Sequence, residues 1–306
     1  MSGPLATSGS GRQPQWLRRK ERGAHAAIKL FVWLAMTLGR HVGRIMLTPI
    51  CLYFLIFSLE SRRASRAYLY RALGRKVTLR DNFRHYHTFA SCVLDRVFFL
   101  QNRTELFDVR VFEESVVHDI LARGSGCILL GAHIGSFEAL RAIGHRQPNL
   151  RVKMLMFEEN ARNITAVLNA IEPELAKDII SLGRPDSLVT VRHCLDDGHF
   201  IGLLADRSLT NERMVSHSFL GAPAQFSVNP FRMIALLQVP VVFMAAVYRG
   251  ANRYDVHFES FSGPSLLPRR PTAEEQEALV GRYVARLEHY CRSAPYNWFN
   301  FYDVWS

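Results

Sequence analysis

His133 and Glu138 stand five positions apart in the stretch Gly126 to Leu140, GCILLGAHIGSFEAL, and their types suit the moving of a proton. An imidazole with an ordinary pKa near 6.5 accepts a proton at neutral pH, and a carboxylate on its second nitrogen fixes the tautomer and stabilises the imidazolium. On one continuous helix, residues five apart lie about 140° apart and face different ways. The two can meet only if His133 sits on a turn and Glu138 on the first turn of a helix. The neighbours predict that arrangement. Cys127-Ile128-Leu129-Leu130, flanked by glycines, reads as a buried strand, and Phe137 to Ala142 is a run of helix formers. Gly135-Ser136 lies between them, with Ser136 in position to cap the helix through its hydroxyl.

A second pair, Asp206 and Arg207, follows another buried strand, His199 to Ala205, just as His133 follows the first. In open α/β sheets, ligands gather at the carboxyl ends of strands. A surface ion pair at a loop start accounts for these two residues equally well. If they do bind, the arginine fork suits the phosphate oxygens of a ligand.

Other chemistries are poorly served. The glycines Gly124 and Gly126 precede a strand, whereas a dinucleotide loop follows one, and Gly131 is followed by Ala-His rather than the Lys-Ser/Thr of a phosphate loop. No G-x-S-x-G elbow occurs, so Ser136 is a weak nucleophile candidate. His193, Asp196, Asp197 and His199 lack the spacing to share a metal-binding face, and no metal is expected. The five cysteines are scattered without C-x-x-C, which suits a reduced, cytosol-facing body.

The elements that must hold these residues alternate between strand and helix. Arg66 to Leu73 and Thr78 to Leu100 read as helices, the second with an aromatic stripe of core type, and Glu114 to Ala122 as a short helix. After His133 come strands at Arg151–Phe157, Asp178–Leu182, His199–Ala205, Val239–Tyr248 and Tyr254–Phe261, the last an antiparallel neighbour. Helices fall at Ala161–Ile171, Ser187–Asp196, Phe231–Gln238 (capped by Asn229, with Pro230 first) and Thr272–Arg292, where Thr272 and Glu275 form a capping box. The pattern predicts an α/β fold with a mixed, mostly parallel central sheet flanked by helices.

The net charge of +11 admits nucleic acid or an anionic membrane as partner. Residues 1–44 hold eight Lys/Arg against the single Glu21 and run directly into apolar sequence, which favours the membrane; no nucleic-acid motif appears. Residues 1–22 read as a disordered basic N-terminus and 23–60 as hydrophobic attachment helices, leaving 61–306 as the α/β domain. Ala26 to Leu38 and the uncharged Ile45 to Leu59, interrupted by Pro49, are each shorter than the roughly 20 residues of a full span. An interfacial helical hairpin and a single span over about Val42 to Leu59 both fit.

His133 to Glu138 resembles the H-x4-D/E motif of the lysophospholipid acyltransferase superfamily. The surroundings, from about Phe83 to Trp298, resemble the late acyltransferases of lipid A biosynthesis. Phe219-Leu220-Gly221-Ala222-Pro223-Ala224 is similar to a Phe-Phe-Gly-like segment of that branch, and Pro295 to Trp298 to its closing P-x-x-W. The resemblance implies a fatty acyl group moved from acyl carrier protein or acyl-CoA to a lipid or glycolipid acceptor, on the cytoplasmic face of the bacterial inner membrane. It makes His133 the general base and Glu138 its partner, with Asp206, Arg207, Gly135, Ser136, Phe219 and Gly221 around the substrates. Backbone amides near Gly135, or Arg207, would hold the oxyanion. No cofactor or covalent intermediate is implied. Arg207 departs from the branch's acidic pattern, and Trp298 to Trp305 is an aromatic tail without a basic residue. That tail leaves another glycolipid, an aminolipid or a polyene-type lipid open as acceptor. Two rival readings remain: a lipid-ester hydrolase, and an inactive membrane-peripheral scaffold.

Overall fold

A computed structural model describes residues 39–140, 150–157, 177–183, 186–208, 212–263 and 268–305, with Thr37 and Ile143. The expected N-terminal disorder, the Ala26–Leu38 helix and the Ala161–Ile171 helix lie outside those residues. Among the described residues, a seven-stranded sheet carries the order β1-β9-β8-β2-β5-β3-β4. Its strands are β1 (Asp108–Phe112), β2 (Cys127–Gly131), β3 (Val152–Phe157), β4 (Ile179–Leu182), β5 (Phe200–Leu204), β8 (Val241–Gly250) and β9 (Arg253–Ser262). All neighbours are parallel except β8 and β9, so the sheet is mixed and mostly parallel. β6 (Met214–Phe219) and β7 (Ala222–Ser227) form a separate antiparallel hairpin.

The central strand shows why this sequence needs two helical layers. All five residues of β2 are buried, and they alternate between two cores. Ile128 and Leu130 face α2 (Leu59–Leu73), α5 (Ser187–Asp196), α6 (Asn229–Leu237) and α7 (Ala273–Ser293). Cys127 and Leu129 face α1 (Arg40–Phe57), α3 (Leu79–Leu100) and α4 (Ser115–Ala122). A continuous apolar run is what a strand covered on both faces requires. Helix α3 starts at a complete capping box between Thr78 and Asp81, and α7 at the expected one between Thr272 and Glu275.

Several expectations are corrected. Between the helices read at Thr78–Leu100 and Glu114–Ala122 lies the edge strand β1, which pairs in parallel with β9 from far along the chain. The strand β7 falls where no strand is read. Asn229 is already helical, and Ser227 Oγ accepts its amide instead. The α3 stripe is core at Tyr86, Val97 and Leu100 but exposed at Phe89 and Val93. The span read over about Val42 to Leu59 falls on α1, which among the described residues is a helix long and apolar enough to cross a membrane, with the exposed Pro49 inside it and α2 beginning at Leu59.

Candidate active site

The register of β2 against β5 sets the site. Gly131 pairs with Leu204 in parallel, so residues two positions beyond each strand end, His133 and Asp206, emerge side by side. Adjacent strands lie about 4.8 Å apart, within reach of an imidazole and a carboxylate. His133 Nδ1 lies 2.8 Å from Asp206 Oδ1, and the His133 amide donates to Asp206 Oδ2 at 3.1 Å. Trp298 Nε1 donates to the same Oδ2 at 2.9 Å. The Asp206 side chain is 1% exposed and that of His133 30% exposed.

Those contacts decide the protonation states. Burial alone would raise the Asp206 pKa, but His133, Arg207 and the indole N–H outweigh it and hold the carboxyl well below its usual range. An ionised carboxylate only accepts, so Nδ1 of His133 carries the hydrogen and Nε2 presents a lone pair. Burial and the positive charge of Arg207 push the imidazole pKa down from 6.5, against the opposing pull of Asp206. The ring is thus neutral at pH 7, as a general base must be.

The spacing of H-x4-E assigns Glu138 as the ring's partner, and the structure gives that place to Asp206. Ser136 is extended (φ −128°, ψ 111°) and makes no side-chain cap, and a 3₁₀ turn follows at Phe137–Ala139. Glu138 on that turn is held by Arg96 of α3 at 2.7 Å and receives the Ser136 hydroxyl at 3.3 Å. Among the described residues no hydrogen bond or ion pair joins Glu138 to His133. The Arg96 charge nevertheless acts on the imidazole, so this ion pair borders the site.

Gly135 has a structural reason. Its φ is +60°, and a Cβ there would overlap the carbonyl of Ala246 on β8. The Gly135 amide donates to Asn297 O at 2.9 Å and that of Ser136 to Ala246 O at 3.0 Å. Both are consumed by the fold, which removes them as oxyanion donors. Arg207 lies beside the pair, with one Nη donating to Phe299 O at 3.2 Å and its positive charge acting on the imidazole.

Phe219 and Gly221 stand back from the site. Phe219 is fully buried with its ring edge-on to Trp298 at 5.2 Å, and Gly221 (φ +80°) turns the β6–β7 hairpin. The residues that sequence reasoning left without a role are Trp298 and Arg96. The P-x-x-W match was the signal for the first; nothing local marks the second. The aromatic tail docks on the core rather than projecting. Trp305 Nε1 donates to Phe219 O at 3.2 Å, and Phe299 is buried. Near the rejected metal cluster, Asp196 pairs with Arg192, and His199 Nδ1 lies 3.1 Å from the Cys194 carbonyl.

A partly exposed neutral imidazole held by a buried carboxylate at the carboxyl edge of an α/β sheet has the chemistry to accept a proton. The model of the bacterial lipid A biosynthesis acyltransferase family matches residues 29–306, and the chain belongs to that family. It is accordingly a membrane-associated acyltransferase. A search of curated proteins gives no match.

Proposed function

We propose that this acyltransferase moves a fatty acyl group from an acyl thioester, on acyl carrier protein or coenzyme A, to a hydroxyl or amine of a lipid or glycolipid. The observation that carries the reading is the 2.8 Å contact between His133 Nδ1 and Asp206, which leaves Nε2 to act as the base on a side chain that is 30% exposed. Nε2 takes the proton of the acceptor hydroxyl as its oxygen bonds to the thioester carbonyl carbon. Asp206 stabilises the imidazolium, and the positive charge of Arg207 beside the ring favours the oxyanion. The intermediate then collapses with loss of the C–S bond, and the imidazolium returns its proton to the leaving thiolate. The ester and the free thiol carry all the atoms of the two reactants.

Attachment to the cytoplasmic face of the bacterial inner membrane is supported by α1. Its seam Gly43, Leu47, Cys51 and Leu55, at steps of four, is buried against the body. Ile45, Leu52, Tyr53, Phe54, Ile56 and Phe57 remain exposed, an apolar face suited to lipid. The net charge of +11 suits both an anionic membrane surface and an acidic carrier protein.

The test is an incubation of detergent-solubilised protein with radiolabelled acyl thioester, with and without lipid extract. Label transferred only in the presence of lipid is expected. Free fatty acid alone would mean a hydrolase, and no turnover would mean a scaffold. His133→Ala should lower the rate by about 10²–10⁴. Undiminished transfer in that variant would end the assignment of the base.

A further inference from the structure

Beneath the site runs a chain of buried polar groups to which the acyl-transfer steps assign no part. Ser65 of α2 and Asn82 and His85 of α3 are all buried. Asn82 Nδ2 donates to Ser65 Oγ at 2.9 Å, Ser65 Oγ lies 2.8 Å from His85 Nδ1, and His85 Nε2 lies 2.8 Å from the Trp298 carbonyl. Donor and acceptor roles in this chain follow from chemistry. A carbonyl only accepts, so Nε2 of His85 carries its hydrogen; Nδ1 therefore accepts from the Ser65 hydroxyl, whose oxygen accepts from Asn82. Burial keeps this ring neutral, with its pKa lowered to about 4.

The chain continues beyond the carbonyl. Trp298 is 1% exposed, its ring fixed edge-on by Tyr68 at 4.9 Å and Phe219 at 5.2 Å. Its indole N–H ends on Asp206 Oδ2, and the adjacent Phe299 amide donates to His133 O at 2.8 Å. Buried polar groups stabilise less than apolar packing does unless each one is satisfied, and a satisfied chain fixes geometry. We propose that Trp298 is a positioning residue for the acyl-transfer site: gripped by His85 at its carbonyl, it uses its indole N–H to fix the Asp206 carboxylate, and through it the ring of His133. This rests on the reading of His133 as the base.

The charged and titratable groups around the pair belong to every neighbouring element. Arg207 follows β5, Arg96 comes from α3, Tyr302 from the C-terminal segment, and Tyr283 and Cys291 from α7. None of them is altered by Trp298→Phe, which removes the N–H together with part of the buried ring, so the position of the acid limb, which a loss of packing alone does not move, carries the test. A carboxylate stripped of that donor holds fuller charge and stabilises the imidazolium better. The acid limb of kcat/KM should therefore move to higher pH. With the carboxylate less constrained, kcat should fall about tenfold, the scale of one hydrogen bond to a charged group. KM for the acyl thioester should stay within about twofold. An unchanged kcat and an unchanged limb, in a sample where His133→Ala is inactive, would overturn the role of Trp298 and leave the base standing. Full activity in His133→Ala would take down both. Should Trp298→Phe not fold, the wild-type protein decides. Of its four tryptophans, one indole N–H resonance should titrate with the midpoint of the acid limb, and four flat signals would overturn the proposal.

Discussion

Two buried carboxylates in this molecule make nearly the same contacts and differ in what stands beside them. Asp206 accepts from an imidazole and an indole; Asp95 of α3 accepts from the guanidinium of Arg40 at 2.7 and 2.8 Å and from the Tyr254 hydroxyl at 2.8 Å. Arg40 is 7% exposed and its remaining reach goes to the Ala251 carbonyl, so that cluster is closed. At Asp206 the partner is 30% exposed and keeps an unspent lone pair. A carboxylate therefore becomes part of chemistry when its partner has a second face open to a reactant. Sealed on every side, it becomes a rivet, here one that fixes the start of α1 to α3 and β9.

The comparison is sharpened by cutting each pair. Asp206→Asn should lower kcat by about 10²–10⁴, because the ring loses both its tautomer control and its counter-charge. Turnover near the wild-type value in a cooperatively melting sample would place Asp206 with Asp95 as a structural group. Arg40→Ala should leave an uncompensated buried charge and cost about 3–5 kcal/mol in denaturant unfolding, with kcat of the folded fraction little changed. Lost activity at full stability would reverse the assignment.

A smaller effect tests the support beneath Asp206. His85 is neutral in the fold with a pKa of about 4, while in the unfolded chain it titrates near 6.5. A depressed folded value means the unfolded chain binds the proton first. This stability is complete above pH 6.5 and is lost as pH falls towards 4, by up to about 3 kcal/mol. His87, His133 and His257 are shifted in the same direction, so the His85 share is the part of the acid slope that His85→Gln removes. An identical slope in the variant would deny the neutral relay.

What the sequence made legible was local, and what it hid depended on register. β2, β5, β8 and α7 announce themselves through apolar runs and a capping box, signals complete within a few residues. β1 is half exposed and acquires its identity from β9, far along the chain. The site divides in the same way. His133 and Asp206 were each visible as a polar residue just after a buried strand. That they face one another depends on β2 lying beside β5, which no short window contains. H-x4-E offered a near partner, and the 3₁₀ turn after Ser136 turned that partner toward Arg96 instead. Trp298 was visible only as a motif letter, since its use lies in a bond to a residue 92 positions away.

The most direct measurement is the acid limb of kcat/KM in Asp206→Asn set beside Glu138→Gln. If Asp206 is the ring's partner, its neutralisation removes the charge that favours the imidazolium, and the limb moves to lower pH. Glu138→Gln, which touches the ring only through the charge of Arg96, should move the midpoint far less than Asp206→Asn does, whatever happens to its kcat. A limb that moves in Glu138→Gln and stays fixed in Asp206→Asn would contradict the account.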